Sequence, residues 1–189
     1  MIGSLKNNDK KDEWKGKMIR LTTLCYLEKN DHYLMLHRVS KKDDVNAGKW
    51  IGIGGKFEPG EAPEDCMIRE TAEETGFRLN GCRYRGLITF IYADKDPEYI
   101  FTYTSEDFET GSEMDNNEGR LPVPECDEGV FCWVPKKDLF ALELWEGDRY
   151  LLEYLVRDRS EPFSLKLCYD EHDVLTEAWE LSGQRVRLK

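Results

Sequence analysis

The 189-residue chain has no apolar run approaching the ~18 residues that cross a bilayer as a helix. Its first stretch, MIGSLKNNDKKDEWKGK, lacks the apolar core of a secretory leader. No two of the six cysteines form a CxxC pair, and there are only three histidines. A disulfide framework and a structural zinc site are therefore disfavoured. Cys25, Cys66, Cys82, Cys126, Cys132 and Cys168 are expected to be reduced, behaving as small hydrophobes. Positive charge is also scarce: 27 Lys and Arg against 38 Asp and Glu leave a net charge of −11. A surface of that sign does not suit polymeric DNA or RNA. There is no internal repeat. These absences predict a cytoplasmic chain with no membrane partner.

What is present supports one folded domain. Hydrophobic residues make up 40% of the chain, enough for a core despite 34% charged residues. The expected division is a flexible tail at 1–17, a domain at 18–182 and a short C-terminal tail at 183–189. Between Ser105 and Glu128 there are nine acids and one Arg, with Gly111, Gly119, Pro122 and Pro124, which predicts an exposed acidic insertion or long loop over 105–128. RLTTLCYL and HYLMLH flank a polar joint and read as a hairpin. KWIGIGGK reads as a short strand entering a glycine-rich loop. Residues 63–75 read as a helix, with Pro63 in the first turn, Glu64 and Asp65 at its positive end and Gly76 as its C-terminal cap. CRYRGLITFIYA, YIFTYTS and VFCWV read as strands, PKKDLFAL as a short helix and EGDRYLLEYLVRDR as a longer one. FSLKLCY and VLTEAWEL read as a terminal hairpin. Alternating helices and strands, several of them antiparallel, predict an α/β domain with a mixed sheet.

The informative stretch is GKFEPGEAPEDCMIRETAEETGF, from Gly55 to Phe77. Glu70, Glu73 and Glu74 stand at i, i+3 and i+4, so the helix gathers three carboxylates on one face. Glu61 adds a fourth acid just before it. Arg69 can pair with Glu73 but cannot neutralise three acids. A hard divalent cation, Mg²⁺ or Mn²⁺, would relieve the repulsion. The preceding glycine pair lets backbone groups approach the same spot, and Lys56 can reach a phosphate. The competing reading is a solvated acidic helix face.

The stretch resembles the Nudix box, G-x5-E-x7-R-E-U-x-E-E-x-G-U, with U a bulky apolar residue. Gly55, Glu61, Arg69, Glu70, Glu73, Glu74 and Gly76 match its seven fixed positions. Such a match arises by chance with a probability on the order of 10⁻⁸ per starting position. Phe77 suits the last U, and Thr71 departs from the first. RLTTLCYLEKNDHYLMLHR, GKWIGIGGK, WVP and LWEGD extend the resemblance toward the MutT-like, nucleotide-pool-sanitising branch, the 8-oxo-dGTP diphosphatases.

The resemblance implies a Nudix fold, a mixed sheet in an α/β/α sandwich. It implies Mg²⁺-dependent cleavage of a nucleoside diphosphate linked to another group, here an oxidised purine nucleoside triphosphate giving the monophosphate and pyrophosphate. Metal ligands would be Glu70, Glu73, Glu74, the Gly54 carbonyl and Glu128, which stands five residues before Trp133. Arg69 would orient the glutamates and Glu61 would support the loop. Glu70 or Glu128 would act as base. Gly55 and Lys56 would meet the phosphates. Trp145 would stack on the purine and Asp148 would bond its edge. Ile51 stands where some relatives carry a polar base-reading residue. Trp50 and Trp133 are expected in the core, while His37 and Arg38 face the phosphates or end a solvated strand. The partner would be a small nucleotide and the protein a monomer or homodimer. Other substrates (another NTP, ADP-ribose, an RNA 5′ end) and a non-catalytic binding module are the alternatives.

Overall fold

The computed structural model describes residues 16–39, 45–111 and 122–189. Most of the N-terminal tail and the middle of the acidic segment lie outside them. Twelve strands are described: β1 Arg20–Lys29, β2 His32–His37, β3 Trp50–Ile51, β4 Arg78–Leu79, β5 Arg83–Tyr92, β6 Glu98–Ser105, β7 Phe108–Glu109, β8 Glu125–Cys126, β9 Gly129–Pro135, β10 Phe163–Tyr169, β11 Leu175–Glu180 and β12 Val186–Arg187. Two α-helices, α1 Pro63–Thr75 and α2 Glu146–Val156, and a 3₁₀ helix at Lys136–Ala141 complete the set.

The main sheet runs β12-β11-β10-β5-β6-β1-β2-β9-β8, with β3 added beside β2. β1 pairs in parallel with β6, and β10 with β5; the other pairs are antiparallel, so the sheet is mixed. Period-2 alternation gives each strand two faces. Along β10, Phe163, Leu165, Leu167 and Tyr169 are buried while Ser164, Lys166 and Cys168 are half-buried. The first set packs with Leu151, Leu152 and Leu155 of α2. On the opposite face Cys25, Leu27, Leu34, Leu36 and Tyr103 pack with Met67 of α1 and with Phe77. A helix on each face makes the α/β/α sandwich.

The ends of α1 follow from local chemistry. Ala62 is the N-cap, and its N–H donates to Asp65 Oδ2 at 3.1 Å. Pro63 occupies the first turn. Gly76 closes the helix at φ 69°, a left-handed conformation suited to glycine. Thr75 then turns the chain, accepting the Phe77 N–H at 3.0 Å, and Phe77 is fully buried. Thr71 is also fully buried, so its departure from a bulky residue leaves the helix seated.

Three expectations need correction. The 105–128 segment is not a plain exposed loop at its ends. β7 pairs with β4, β8 pairs with β9, and Pro122 and Pro124 are buried. Trp133 fixes the return, its Nε1–H donating to the Pro122 carbonyl at 2.8 Å. The 183–189 stretch is not a free tail, because β12 extends the sheet edge beside β11. The short strand expected at KWIGIGGK contracts to β3 plus isolated bridges from Ile53 to Cys25 and from Lys56 to Thr22.

Candidate active site

The glycine pair lies flush against β1. The Thr23 N–H donates to the Gly55 carbonyl at 2.9 Å. A Cβ on Gly54 would sit 2.0 Å from the Thr23 carbonyl oxygen, and one on Gly55 would sit 2.2 Å from the Glu70 carboxylate. No larger residue fits at either position, so the loop brings its backbone directly onto the acidic face of α1.

Arg69 organises that face. Its Nε donates to Glu61 Oε1 at 2.7 Å and its Nη2 to Glu61 Oε2 at 2.9 Å. Nη1 reaches Glu70 at 2.8 Å and Glu73 at 3.1 Å, and Nη2 also meets the Lys56 carbonyl at 3.0 Å. One guanidinium thus ties the loop to two helix carboxylates. Glu61 accepts the Glu58 N–H as well, and these donors, Arg69 first, pull its carboxyl down to about 2. Arg69 is correspondingly held charged by Glu61 and Glu70.

Glu74 differs in kind. It lies on the inner side of the same face, and its Oε2 is buried with no hydrogen-bond partner among the described residues. Burial, then the charges of Glu70 and Glu128, push its carboxyl up to about 8, against the pull of Arg38 and the Gly54 backbone. Glu128 comes from the turn between β8 and β9 and forms an ion pair with Arg38, which follows β2. Glycines 54, 55 and 129, Glu70, Glu73 and Glu74 of α1 and residues Pro124–Glu128 line one cleft of about 830 Å³. Residues 74 positions apart in sequence, such as Gly54 and Glu128, meet there.

Among the described residues no three His, Cys, Asp or Glu side chains form a ready metal cage. Arg69 holds Glu70 and Glu73, and Arg38 holds Glu128. The donor set nevertheless fits a hard cation: all oxygen, acidic and mutually repelling, with an orphaned buried oxygen on Glu74.

The remaining expected residues lie elsewhere. Lys56 is exposed and its side chain is not part of the cleft lining. Trp145 is only 6% exposed; its Nε1–H donates to Asn46 at 2.9 Å, Tyr92 and Tyr169 meet it edge-on, and Lys49 lies over its ring. Half-buried Asp148 sits near Tyr26 and Tyr169, and burial pushes its carboxyl up to about 7 against the pull of Lys49. Trp50 stacks on His37 with centroids 4.5 Å apart and packs at the rim of the α2-side core; Trp133 packs at the rim of the other. The Arg38–Glu128 pair was not foreseen. It joins residues 90 apart, and no local pattern announces it.

The chain is similar to known proteins. The NUDIX domain family matches residues 18–155. An uncharacterised Nudix hydrolase of Bacillus subtilis is 30% identical over 143 residues, 74% of this chain and 80% of that protein. The mouse oxidized purine nucleoside triphosphate hydrolase is 29% identical over 120 residues, 63% of this chain and 70% of that protein. The MutT protein of Bacillus halodurans has a similar fold, with a TM-score of 0.70 at 20% identity, covering 84% of this chain and 95% of that one. Seven fixed box positions, the cleft they build and a match spanning most of the sheet agree: the chain belongs to the Nudix hydrolase family.

Proposed function

We propose that the protein is a divalent-metal-dependent hydrolase of oxidised purine nucleoside triphosphates, 8-oxo-dGTP among them, releasing the monophosphate and pyrophosphate. The observation that carries the chemistry is the oxygen of Glu74, buried with no hydrogen-bond partner among the described residues, in a cleft of about 830 Å³ that Glu70, Glu73 and Glu128 also line. The mouse relative's named substrate supports the choice of nucleotide.

Gly54 through its carbonyl, Glu70, Glu73, Glu74 and Glu128 would hold Mg²⁺, with Mn²⁺ the alternative. Bound there, the cation supplies neutralisation of phosphate charge and activation of water. The chain's own residues set the rest. Arg69 fixes the direction of Glu70 and Glu73, and Glu61 fixes Arg69. Glu70 or Glu128 takes the proton of the attacking water. As the water oxygen bonds to phosphorus, the bridging P–O bond between the α- and β-phosphates breaks, and its electron pair stays on the departing phosphate, giving monophosphate and pyrophosphate. Gly55 lets the phosphates approach the backbone, and Lys56 adds charge from the loop. Asp148, titrating near neutrality, keeps a proton to donate to a purine edge. Trp145 walls that side of the base.

One observation favours a second reading. Trp145 is buried and its ring nitrogen is engaged by Asn46, and Ile51 offers no polar group. The same machinery would then act on a different nucleoside diphosphate derivative. Pyrophosphate release with Mg²⁺ across 8-oxo-dGTP, dGTP, 2-hydroxy-dATP, ADP-ribose and a 5′-triphosphate RNA separates the two. The first reading expects kcat/KM for 8-oxo-dGTP at least tenfold above dGTP, or about 1.4 kcal/mol of base readout. Equal turnover of all nucleotides, or turnover of ADP-ribose or RNA alone, rejects it.

A further inference from the structure

Among the described residues, one face of the main sheet is only half covered. α1 packs chiefly on β1, β4 and β8, and α2 packs on β10 and β11 from the other side. On the α1 side, β6, β5, β10 and β11 therefore carry no helix of their own among the described residues. The register defines what they present. Leu21, Tyr99, Thr89, Lys166, Trp179 and Arg187 form one row across six strands. Leu87 and Ile91 of β5 and Cys168 of β10 flank that row. None of Leu21, Leu87, Ile91, Tyr99, Cys168 and Trp179 joins either hydrophobic core among the described residues. Leu21 is 41% exposed, and Ile19, one turn of the pleat earlier on the same face, is 63% exposed.

The two borders of this face carry opposite charge. On one side α1 stands up as a wall, with exposed Glu64, Asp65 and Ile68. Glu64 leans over β6, accepting the Tyr103 hydroxyl at 2.8 Å. On the other side Arg185 and Arg187 lie 4.2 and 5.8 Å from the Trp179 ring, with Lys166 beside it, and outnumber the acid there, Glu177, which accepts the Trp179 Nε1–H at 3.1 Å. A two-fold axis through the face would set the acidic wall of each copy on the basic border of the other. Each α1 would then fill the place above the sheet where its partner lacks a helix.

We propose that this face binds a second copy of the same chain, as an isologous dimer. Four strands about 4.8 Å apart and about 23 Å long offer roughly 440 Å² of projected face. With the α1 flank this lies at the small end of specific interfaces, so the dimer exchanges with monomer and weakens as salt rises. The pairing does not depend on what the cleft hydrolyses.

Sedimentation of the full chain across concentration and salt tests it. The expected result is a shift from 22.1 kDa toward twice that mass with rising concentration. Arg185→Glu with Arg187→Glu should remain monomeric at concentrations at least tenfold higher, with unchanged circular dichroism. Glu64→Lys with Asp65→Lys should behave alike. An equimolar mixture of the two variants should recover the dimer, because each then meets an opposite border; misfolding of either could not produce that rescue. Wild type that stays at 22.1 kDa at every concentration, or a dimer indifferent to both reversals, overturns the proposal and leaves the face to another occupant.

Discussion

At the scale of single residues, the site is governed by how carboxylates are paired. Glu61, Glu70 and Glu73 share Arg69, whereas Glu74 has burial and like charge against it. Arg69→Lys should lower kcat by about 10–100-fold while leaving the fold intact. An ammonium cannot reproduce the fork that touches Glu61, Glu70 and Glu73 together. The check is steady-state pyrophosphate release alongside circular dichroism. Asp148 makes a separate prediction. Its carboxyl rises from 3.8 to about 7, so the folded state binds its proton more tightly than the unfolded chain does. That contribution is fully present below pH 4 and is lost as pH rises toward 7, by at most about 4 kcal/mol. Asp148→Asn should remove this slope and stabilise the protein at pH 8 more than at pH 5. Urea denaturation at the two pH values decides it; equal shifts at both would contradict a protonated Asp148.

At the scale of elements, α1 and the glycine loop work as one piece. A methyl group on Gly55 would overlap the Glu70 carboxylate. Gly55→Ala should cost about 1–3 kcal/mol and also impair turnover. Gly76→Ala, at φ 69°, should cost only about 1 kcal/mol and leave kcat unchanged. Comparing melting and turnover of the two variants separates a crowded site from a strained cap. This scale also shows what was legible in the sequence. α1 was readable to its ends because Pro63, the acidic first turn and Gly76 are local signals that its tertiary packing does not oppose. The long strands were readable from their apolar, β-branched and aromatic runs. β4, β7, β8 and β12 were not, since two residues carry no period and owe their pairing to neighbours far along the chain. The acidity of 105–128 suggested solvent, yet Pro122 and Pro124 are buried, Trp133 bonds the Pro122 carbonyl, and the return reaches the cleft with Glu128. Composition reports the average of a segment, not which few residues anchor it. The glutamates of the box were legible because one helix carries them; Arg38 opposite Glu128 was not, because two loops bring them together.

At the scale of the molecule, the fold stores electrostatic cost at one cleft. Like charges there oppose folding until a cation or a proton relieves them. Divalent metal at about a hundredfold excess over its dissociation constant should add about 2.7 kcal/mol. For a chain of this size that is a rise in melting temperature of about 5–10 °C. Glu74→Gln should respond far less. A scan with and without Mg²⁺ reads this directly, and monovalent salt at equal ionic strength should not reproduce it.

The central claim is that the Glu70, Glu73, Glu74 and Glu128 cleft performs the hydrolysis. The most direct test is the initial rate of pyrophosphate release from 8-oxo-dGTP, measured side by side for wild type and Glu74→Gln with Mg²⁺ present. The wild type should turn over and the variant should lose about 100-fold or more, because glutamine keeps the shape of the side chain but removes its charge. Equal rates for the two proteins would contradict it.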